Sequence, residues 1–396
     1  MTVNRPSWSE LIQVFLRIGL LGFGGPQAHM AMMGDQVVQQ RQWVSRQAFA
    51  EGLALCEALP GPASSQLAMA LGLHCRGALR GLVSGFCFLL PGLVIVLLLS
   101  ELWRQGQTMA GLTTVLVVVK PVVAAVIWAF VGKLLRQQRQ PWQRTMAVSV
   151  ALGGLLHQFS PLVLPAGLLL LAAGVANRWR TAMGGTLLFL PGLAPWGAAL
   201  GWAQAPWFWL APLAGVFLQA GLLVFGGGLV IIPLLQDQVV GMGWLSGPQF
   251  LEGVAIGQVS PGPVALTSAF VGYQVGWAAG GGPTTAMAGA LVATAAVFLP
   301  SVLFVLVGTP LLQRIRRRPG VQRFLAGVLA GVPGAVAAAA VPLTRTSLQG
   351  EELFISPALL ALFCAALMLN RWLKPSQLVL LGLGLGLAAS LLQGAL

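Results

Sequence analysis

Two stretches of the chain carry side chains suited to holding an anion. The first runs Glu57-Ala58-Leu59-Pro60-Gly61-Pro62-Ala63-Ser64-Ser65-Gln66, the second Gln258-Val259-Ser260-Pro261-Gly262-Pro263-Val264-Ala265-Leu266-Thr267-Ser268. A Pro-Gly-Pro triplet stops one helix and lets another start, because proline lacks the donor that a helix interior needs. The new helix begins with free backbone N–H groups and a partial positive charge, both of which favour an anion. Ser64, Ser65 and Gln66 behind one triplet, and Thr267 and Ser268 behind the other, supply hydroxyls and an amide but no acid. That set suits an oxyanion, whereas a sodium site would bring carboxylates and carbonyls. The plain alternative is a kink whose hydroxyls bond back to their own helix. A single triplet favours the kink; two equivalent triplets favour a site.

A second pair of breaks lies upstream of these. Phe23-Gly24-Gly25-Pro26 is followed by His29, and Phe225-Gly226-Gly227-Gly228 matches it. His29 could donate to the anion, although a lone histidine is more often a satisfied buried group. The glycine-rich strings lack the Lys-Ser/Thr of a phosphate-binding loop, so ATP bound to this chain is not the fuel.

The titratable groups are few. Glu57 falls at the end of its helix, where the dipole disfavours negative charge, and its counterpart is the neutral Gln258. It is therefore the first candidate for a coupling proton. Glu51 and Glu252 align with each other and are further candidates, against the reading of helix-start carboxylates near the interface. Lys120, inside an apolar run, either neutralises substrate charge or pairs with an acid; its counterpart is Val332. Asp35 and Asp237 adjoin loops and read as structural. His74 and His157 make no metal triad, and Cys56, Cys75, Cys87 and Cys364 have neither metal nor disulfide spacing. No metal, no cofactor and no enzymatic reaction are expected.

The elements that must position these residues are helices in a bilayer. Of 396 residues, 57% are hydrophobic and 8% charged, and the mean hydropathy is +0.84. A soluble domain carries roughly 25% charged residues. The net charge of +13 would point to nucleic acid in a soluble protein. Here the arginines sit in short loops between apolar segments, so membrane topology accounts for them and no nucleic acid partner is expected. Residues 1–5 lead into 8–21 without a small-residue cleavage site, so no signal peptide is expected.

The chain repeats itself. Phe23, Gly24, Gly25 and Asp35-Gln36-Val37-Val38 match Phe225, Gly226, Gly227 and Asp237-Gln238-Val239-Val240 at one offset. After one deletion, Trp43, Ser45, Phe49, Glu51 and Pro60-Gly61-Pro62 fall on Trp244, Ser246, Phe250, Glu252 and Pro261-Gly262-Pro263. Short helices are expected at 46–59, 63–74 and 264–275, each too short to cross a core of about 30 Å alone. Each triplet thus makes either one broken span or a hairpin. Full spans are expected at 81–100, 112–135, 145–157 and 162–176, with partners at 285–310, 324–343, 357–370 and 377–392.

Loop charge orients the halves. Arg41/Arg46, Arg76/Arg80 and Lys133/Arg136/Arg139/Arg144 have counterparts with almost no positive charge, around Gly241, Gly276 and Glu351/Glu352, while Arg314/Arg316/Arg317/Arg318/Arg323 and Arg371/Lys374 reverse the bias. Under the positive-inside rule equivalent loops lie on opposite sides. The fold expected is an all-α polytopic membrane protein of two inverted-topology repeats with broken or re-entrant helices. Its parts are a repeat at 1–180, a linker at 181–206 that crosses the membrane, and an inverted repeat at 207–396. The N-terminus is then cytoplasmic and the C-terminus periplasmic. Inverted repeats with paired breaks point to a secondary transporter with a central site. A passive anion channel is the alternative from another class.

These motifs together resemble the chromate ion transporter family in its long, two-domain form. Phe-Gly-Gly-Pro followed by His29 and Trp43, the segment Leu53-Ala54-Leu55-Cys56-Glu57-Ala58-Leu59-Pro60-Gly61-Pro62, and Gly257-Gln258-Val259-Ser260-Pro261-Gly262-Pro263 carry the resemblance over nearly the whole chain. It implies a bacterial inner-membrane protein that exports chromate, driven by the proton gradient, and confers chromate resistance. By position, the motif residues implied are Phe23, Gly24, Gly25, Pro26, Pro60, Gly61, Pro62, Phe225, Gly226, Gly227, Pro261, Gly262 and Pro263. Glu57, standing where the second half has Gln258, departs from the pattern and leaves the coupling open. Sulfate or another oxyanion is the alternative cargo, since sulfate shares the tetrahedral dianion shape of chromate. The sequence allows a homodimer without requiring one.

Overall fold

The structure, a computed structural model, describes residues 6–22, 25–75, 77–106, 110–157, 172–173, 176–177, 208–224, 228–280, 282–306, 319–349 and 355–394. The linker at 181–206 and nearly all of the span expected at 162–176 lie outside the described residues.

Local sequence accounts for most helix ends. α1 (Trp8–Leu21) starts on a full capping box between Ser7 and Glu10. α2 (Pro26–Met33) begins on a proline after Gly25, whose φ is 84°. It runs on into a π-helical turn, Gly34–Gln40, that the sequence pattern did not announce. There side chains five apart face each other: the Gln40 amide donates to Asp35 at 2.7 Å, and Arg41 donates to the Gln36 Oε1 at 2.6 Å. α3 (Arg46–Ala58) is capped by Ser45, whose Oγ accepts from the Ala48 N–H. α4 (Ala63–His74), α5 (Ala78–Gly106), α6 (Ala110–Gln137) and α7 (Pro141–His157) complete the first half.

The second half repeats this order. α8 (Leu210–Leu223) is followed by a 3-10 turn, Gly228–Val230, leading into α9 (Ile231–Gly241). α10 (Gly247–Val259) starts on the Ser246/Gln249 capping box. A 3-10 turn, Val264–Leu266, then leads into α11 (Thr267–Gly280). This differs from the continuous helix expected over 264–275: the first turn is tighter, and the helix runs to Gly280. α12 (Pro283–Leu306), α13 (Pro319–Leu348), α14 (Pro357–Leu369) and α15 (Pro375–Gly394) follow. Segments Ala78–Gly106, Thr114–Gln137, Pro283–Leu306 and Gln322–Leu348 are long and apolar enough to cross a membrane. The chain is an all-α, multi-pass membrane protein.

The Pro-Gly-Pro triplets are hairpin turns. In the second half Phe270 packs where a side chain on Gly253 would stand, and Thr267 where one on Gly257 would stand. Residues 17 apart would lie about 25 Å apart in a straight helix. α10 and α11 are therefore folded back on each other, and the broken-span alternative falls.

The two halves interlock. α7 lies along α13, while α14 and α15 lie along α6. The Gln138 amide donates to the Ala330 carbonyl at 2.8 Å and the Trp128 indole to Thr344 Oγ1 at 2.8 Å. α1 packs on α5 and α8 on α12 through matching glycines: a side chain on Gly19 would strike the Phe88 carbonyl, and one on Gly221 the Val297 carbonyl.

The tightest crossing is at the triplets. The Gly61 N–H donates to the Val224 carbonyl at 2.7 Å, and the Gly262 N–H to the Gly22 carbonyl at 3.1 Å. Each triplet is thus bonded to the half that does not contain it. Both glycines hold positive φ, 113° and 98°, which L side chains rarely adopt. A Cβ on Gly61 would also strike Ser301 Oγ, whereas one on Gly262 would meet only Leu266 Cδ1, at 3.2 Å. Gly61→Ala and Gly262→Ala should each destabilise the protein by about 1–3 kcal/mol from backbone strain. Gly61→Ala should lose more, and adding Ser301→Ala should recover part of that difference. Thermal unfolding of the detergent-purified protein measures both.

Candidate functional site

The reciprocal hydrogen bonds bring all four helix breaks to one place. Gly22 immediately precedes the first Phe-Gly-Gly break and Val224 the second, so each triplet is bonded to the opposite half's break. The second triplet also lies against the middle of the 29-residue α5, where a side chain on Gly92 would strike the Pro261 carbonyl. In equivalent fashion Ser301 of α12 reaches the first triplet, accepting from the Gln66 amide at 3.1 Å.

At each triplet the helix start offers donors. In α4 the first backbone bonds are from Ser65 and Gln66 N–H to the Pro62 carbonyl, which leaves the Ala63 and Ser64 N–H groups without an intrahelical acceptor. In the second half Leu266 N–H reaches the Pro263 carbonyl, leaving those of Val264 and Ala265. Side chains add to this. Among the described residues, buried polar atoms with no protein partner concentrate here: Ser64 Oγ, Gln66 Oε1, Gln258 Nε2, Thr267 Oγ1, Ser268 Oγ and His29 Nδ1. An unpartnered buried polar group is costly, so such a cluster marks a place built for a polar occupant. Ser65 is different. Its Oγ donates to the Pro62 carbonyl at 2.8 Å, the back-bonding alternative.

Not every candidate can donate to an anion. Gln66 is oriented by its amide, which donates to the Pro60 carbonyl at 2.5 Å, so its free Oε1 is an acceptor. His29 is fully buried, edge-on to Phe88, with Nε2 2.7 Å from the Gly22 carbonyl. A carbonyl only accepts, so Nε2 carries the proton, and Nδ1 of the neutral ring offers a lone pair. His29 thus presents a donor to the cluster only when its ring is doubly protonated. Gly25 and Pro26 form the start of α2 beside it, while Gly24, Gly226 and Gly227 lie outside the described residues.

The charged candidates separate sharply. Lys120 Nζ lies 2.7 Å from Glu252 Oε1, with both side chains largely buried, and the Trp103 indole donates to the other oxygen at 2.7 Å. Lys120 pairs with an acid, and the structure does not bring it to the triplets as a substrate ligand. Glu51, aligned with Glu252, is exposed and accepts only from Gln47, at 3.0 Å, within its own helix. Glu57 lies in the last turn of α3, and its side chain is outside the described residues. Asp35 is held by the π turn, as the structural reading expected.

Sequence reasoning missed a second polar link between the halves. The Arg104 guanidinium donates to both Glu101 oxygens, the Tyr273 hydroxyl donates to Glu101 at 2.7 Å, and Arg104 stacks over Trp277 at 3.7 Å. The available signal was Glu101 and Arg104 at i, i+3, too common a pairing to single out. Ser301 was more legible, because Pro300-Ser301 aligns with Pro91-Gly92.

Comparison with known proteins agrees with this architecture. The chromate transporter family matches residues 9–177 and again residues 211–389. The chain belongs to the chromate transporter family. A chromate transport protein of Pseudomonas aeruginosa is 32% identical over 405 residues, covering 96% of this chain and 92% of that protein. One from Cupriavidus metallidurans is 34% identical over 371 residues, covering 91% and 88%. A probable chromate transport protein of Synechococcus elongatus is 33% identical over 356 residues, covering 88% of each. No solved structure matches the chain.

Within this family member the Lys120–Glu252 pair is testable as an inter-half strut. Removing one partner of a buried ion pair strands the other charge and costs about 3–5 kcal/mol. Lys120→Met and Glu252→Gln should each lose that much stability, and the double variant should regain most of it. A double-mutant cycle on thermal unfolding reads the coupling.

Proposed function

We propose that this protein is a secondary active transporter that exports chromate across the bacterial inner membrane, coupled to protons. The oxyanion is held at the paired helix starts behind Pro60-Gly61-Pro62 and Pro261-Gly262-Pro263. The observation that carries this reading is the convergence of Ser64, Gln258, Thr267 and Ser268, buried donors without protein partners, on those starts. Helix N-termini add unpaired N–H groups and favourable dipoles. Names of the relatives supply chromate as cargo. The halves are inverted repeats in this reading, supported by the reciprocal bonds and by the reversed loop charge.

Glu57 is the proposed coupling residue. Glu252 is neutralised by Lys120 and Glu51 is exposed, which leaves Glu57, three positions before Pro60 in the sequence, as the acid that breaks the symmetry with Gln258. The acceptors Gln66 Oε1 and His29 Nδ1 suit a proton-bearing oxyanion or water better than a bare dianion.

Proteoliposomes with labelled chromate test the scheme. Ser64→Ala combined with Ser268→Ala should raise KM roughly tenfold or more, since hydrogen bonds to charged groups contribute about 1.5–3 kcal/mol. Glu57→Gln should abolish the response of flux to an imposed proton gradient; an unchanged response removes Glu57 from the scheme. Flux that neither saturates nor responds to the gradient in the wild type would indicate a channel. Full competition by sulfate would broaden the cargo to tetrahedral oxyanions.

A further inference from the structure

Between α1, α2 and the π turn lies a cleft of about 160 Å³ lined by Arg17, Ile18, Leu21, Met32, Asp35 and Gln36. Arg17 is the sole basic residue of α1. It lies ten residues past the Ser7 cap, about 15 Å along the helix axis. An arginine that deep in an apolar helix faces water or a ligand rather than lipid. None of the hydrogen bonds made by Asp35 and Gln36 comes from Arg17. Asp35 takes the Gln40 amide at 2.7 Å and the Gln36 amide at 3.4 Å, and Gln36 Oε1 takes Arg41 at 2.6 Å. Neither the Arg104–Glu101 nor the Lys120–Glu252 ion pair involves Arg17.

The equivalent place in the other half is built differently. The offset that puts Phe23 on Phe225 puts Arg17 on Gln219 and Gln36 on Gln238. There the Gln238 amide donates to Gln219 Oε1 at 3.1 Å, a neutral pair. One half therefore carries an unpaired guanidinium over an open cleft where its counterpart carries two amides bonded to each other.

We propose that this cleft is an anion-recruiting vestibule, a first binding site for the tetrahedral oxyanion on one side of the protein only. This rests on the transport reading above. Arg17 would take the anion on its planar fork of donors, a geometry suited to oxyanions. Since water occupies about 30 Å³ in the liquid, the cleft has room for a small oxyanion that keeps part of its hydration. Arg17 lies about one and a half helical turns from Gly22, so the anion would pass from Arg17 along α1 to the junction of the breaks. Lys120, tied to Glu252, does not compete for that role.

A lipid phosphate offers the same chemistry, so the test uses two membranes. Purified wild type, Arg17→Gln, Arg17→Lys and Asp35→Asn are placed in vesicles of zwitterionic lipid alone and of zwitterionic plus anionic lipid. Initial rates of labelled chromate uptake are measured against concentration. Equilibrium binding of labelled chromate to the same proteins is measured in detergent. In both membranes Arg17→Gln should raise KM about tenfold, the worth of one charged hydrogen-bonded contact, with kcat within a factor of two. Arg17→Lys should recover part of the loss, and Asp35→Asn should lower KM by removing a like charge. Raising ionic strength should weaken the wild type and leave Arg17→Gln nearly unchanged. An Arg17→Gln variant with wild-type KM and wild-type binding overturns the vestibule while leaving the transport reading intact. A KM effect confined to the anionic membrane assigns Arg17 to a lipid headgroup and equally overturns it. Arg17-dependent chromate binding by a wild type that carries no flux would instead sink the transport reading and keep the vestibule.

Discussion

The structure depends on how broken backbone is satisfied where water is scarce. Each Pro-Gly-Pro turn frees main-chain groups, and a bilayer core tolerates these only when protein or a water-lined cavity meets them. The solution here is exchange between halves. Gly61 donates to Val224 and Gly262 to Gly22, so each turn is completed by the other half. Gly22 is the more loaded of the two acceptors, since its carbonyl also takes the His29 ring. Positive φ at the two donors, and the bare Cα of Gly92 against Pro261, follow from the need for backbones to touch.

What remains unsatisfied is then informative. Beside the two main-chain bonds that cross between the halves, buried hydroxyls and amides next to the triplets are left without protein partners. The protein has placed polar side chains in a buried zone and not bonded them to itself. Charged groups are handled in the opposite way. Lys120 with Glu252, and Arg104 with Glu101 and Tyr273, are paired and tie α5 and α6 to α10 and α11. The unpartnered polar groups beside the triplets are thus neutral, while ion pairs link the helices around them. Arg17 stands outside both groups.

Much of this was legible in the sequence because the signals were covalent. Proline positions, cap residues and the duplication placed α3 and α4 to within about a residue, and the apolar runs marked the long helices. The triplet residues were legible because proline and glycine act through their own backbones. Partnerships across the repeat were not. Nothing in the spacing of Lys120 and Glu252, 132 positions apart in the numbering, distinguishes an ion pair from a substrate ligand. The π turn escaped because its register is set by Gln40 and Arg41 reaching back five residues, a pattern with no apolar period. Glu51 and Glu252 show the same limit: equivalent by alignment, one is exposed and the other is buried against Lys120.

The crossed packing of α7 on α13, and of α14 and α15 on α6, bears on how such a chain comes into being. During synthesis the first half emerges with α6 and α7 lacking the surfaces that will cover them, and with Gly61 lacking its acceptor. It cannot close on itself, since both are supplied only once the later helices are inserted. Assembly must therefore be post-insertional, with the early half held open in the bilayer until the late half arrives. A half-length chain of the same design would have to meet those needs from a second copy, whereas here one polypeptide supplies both partners.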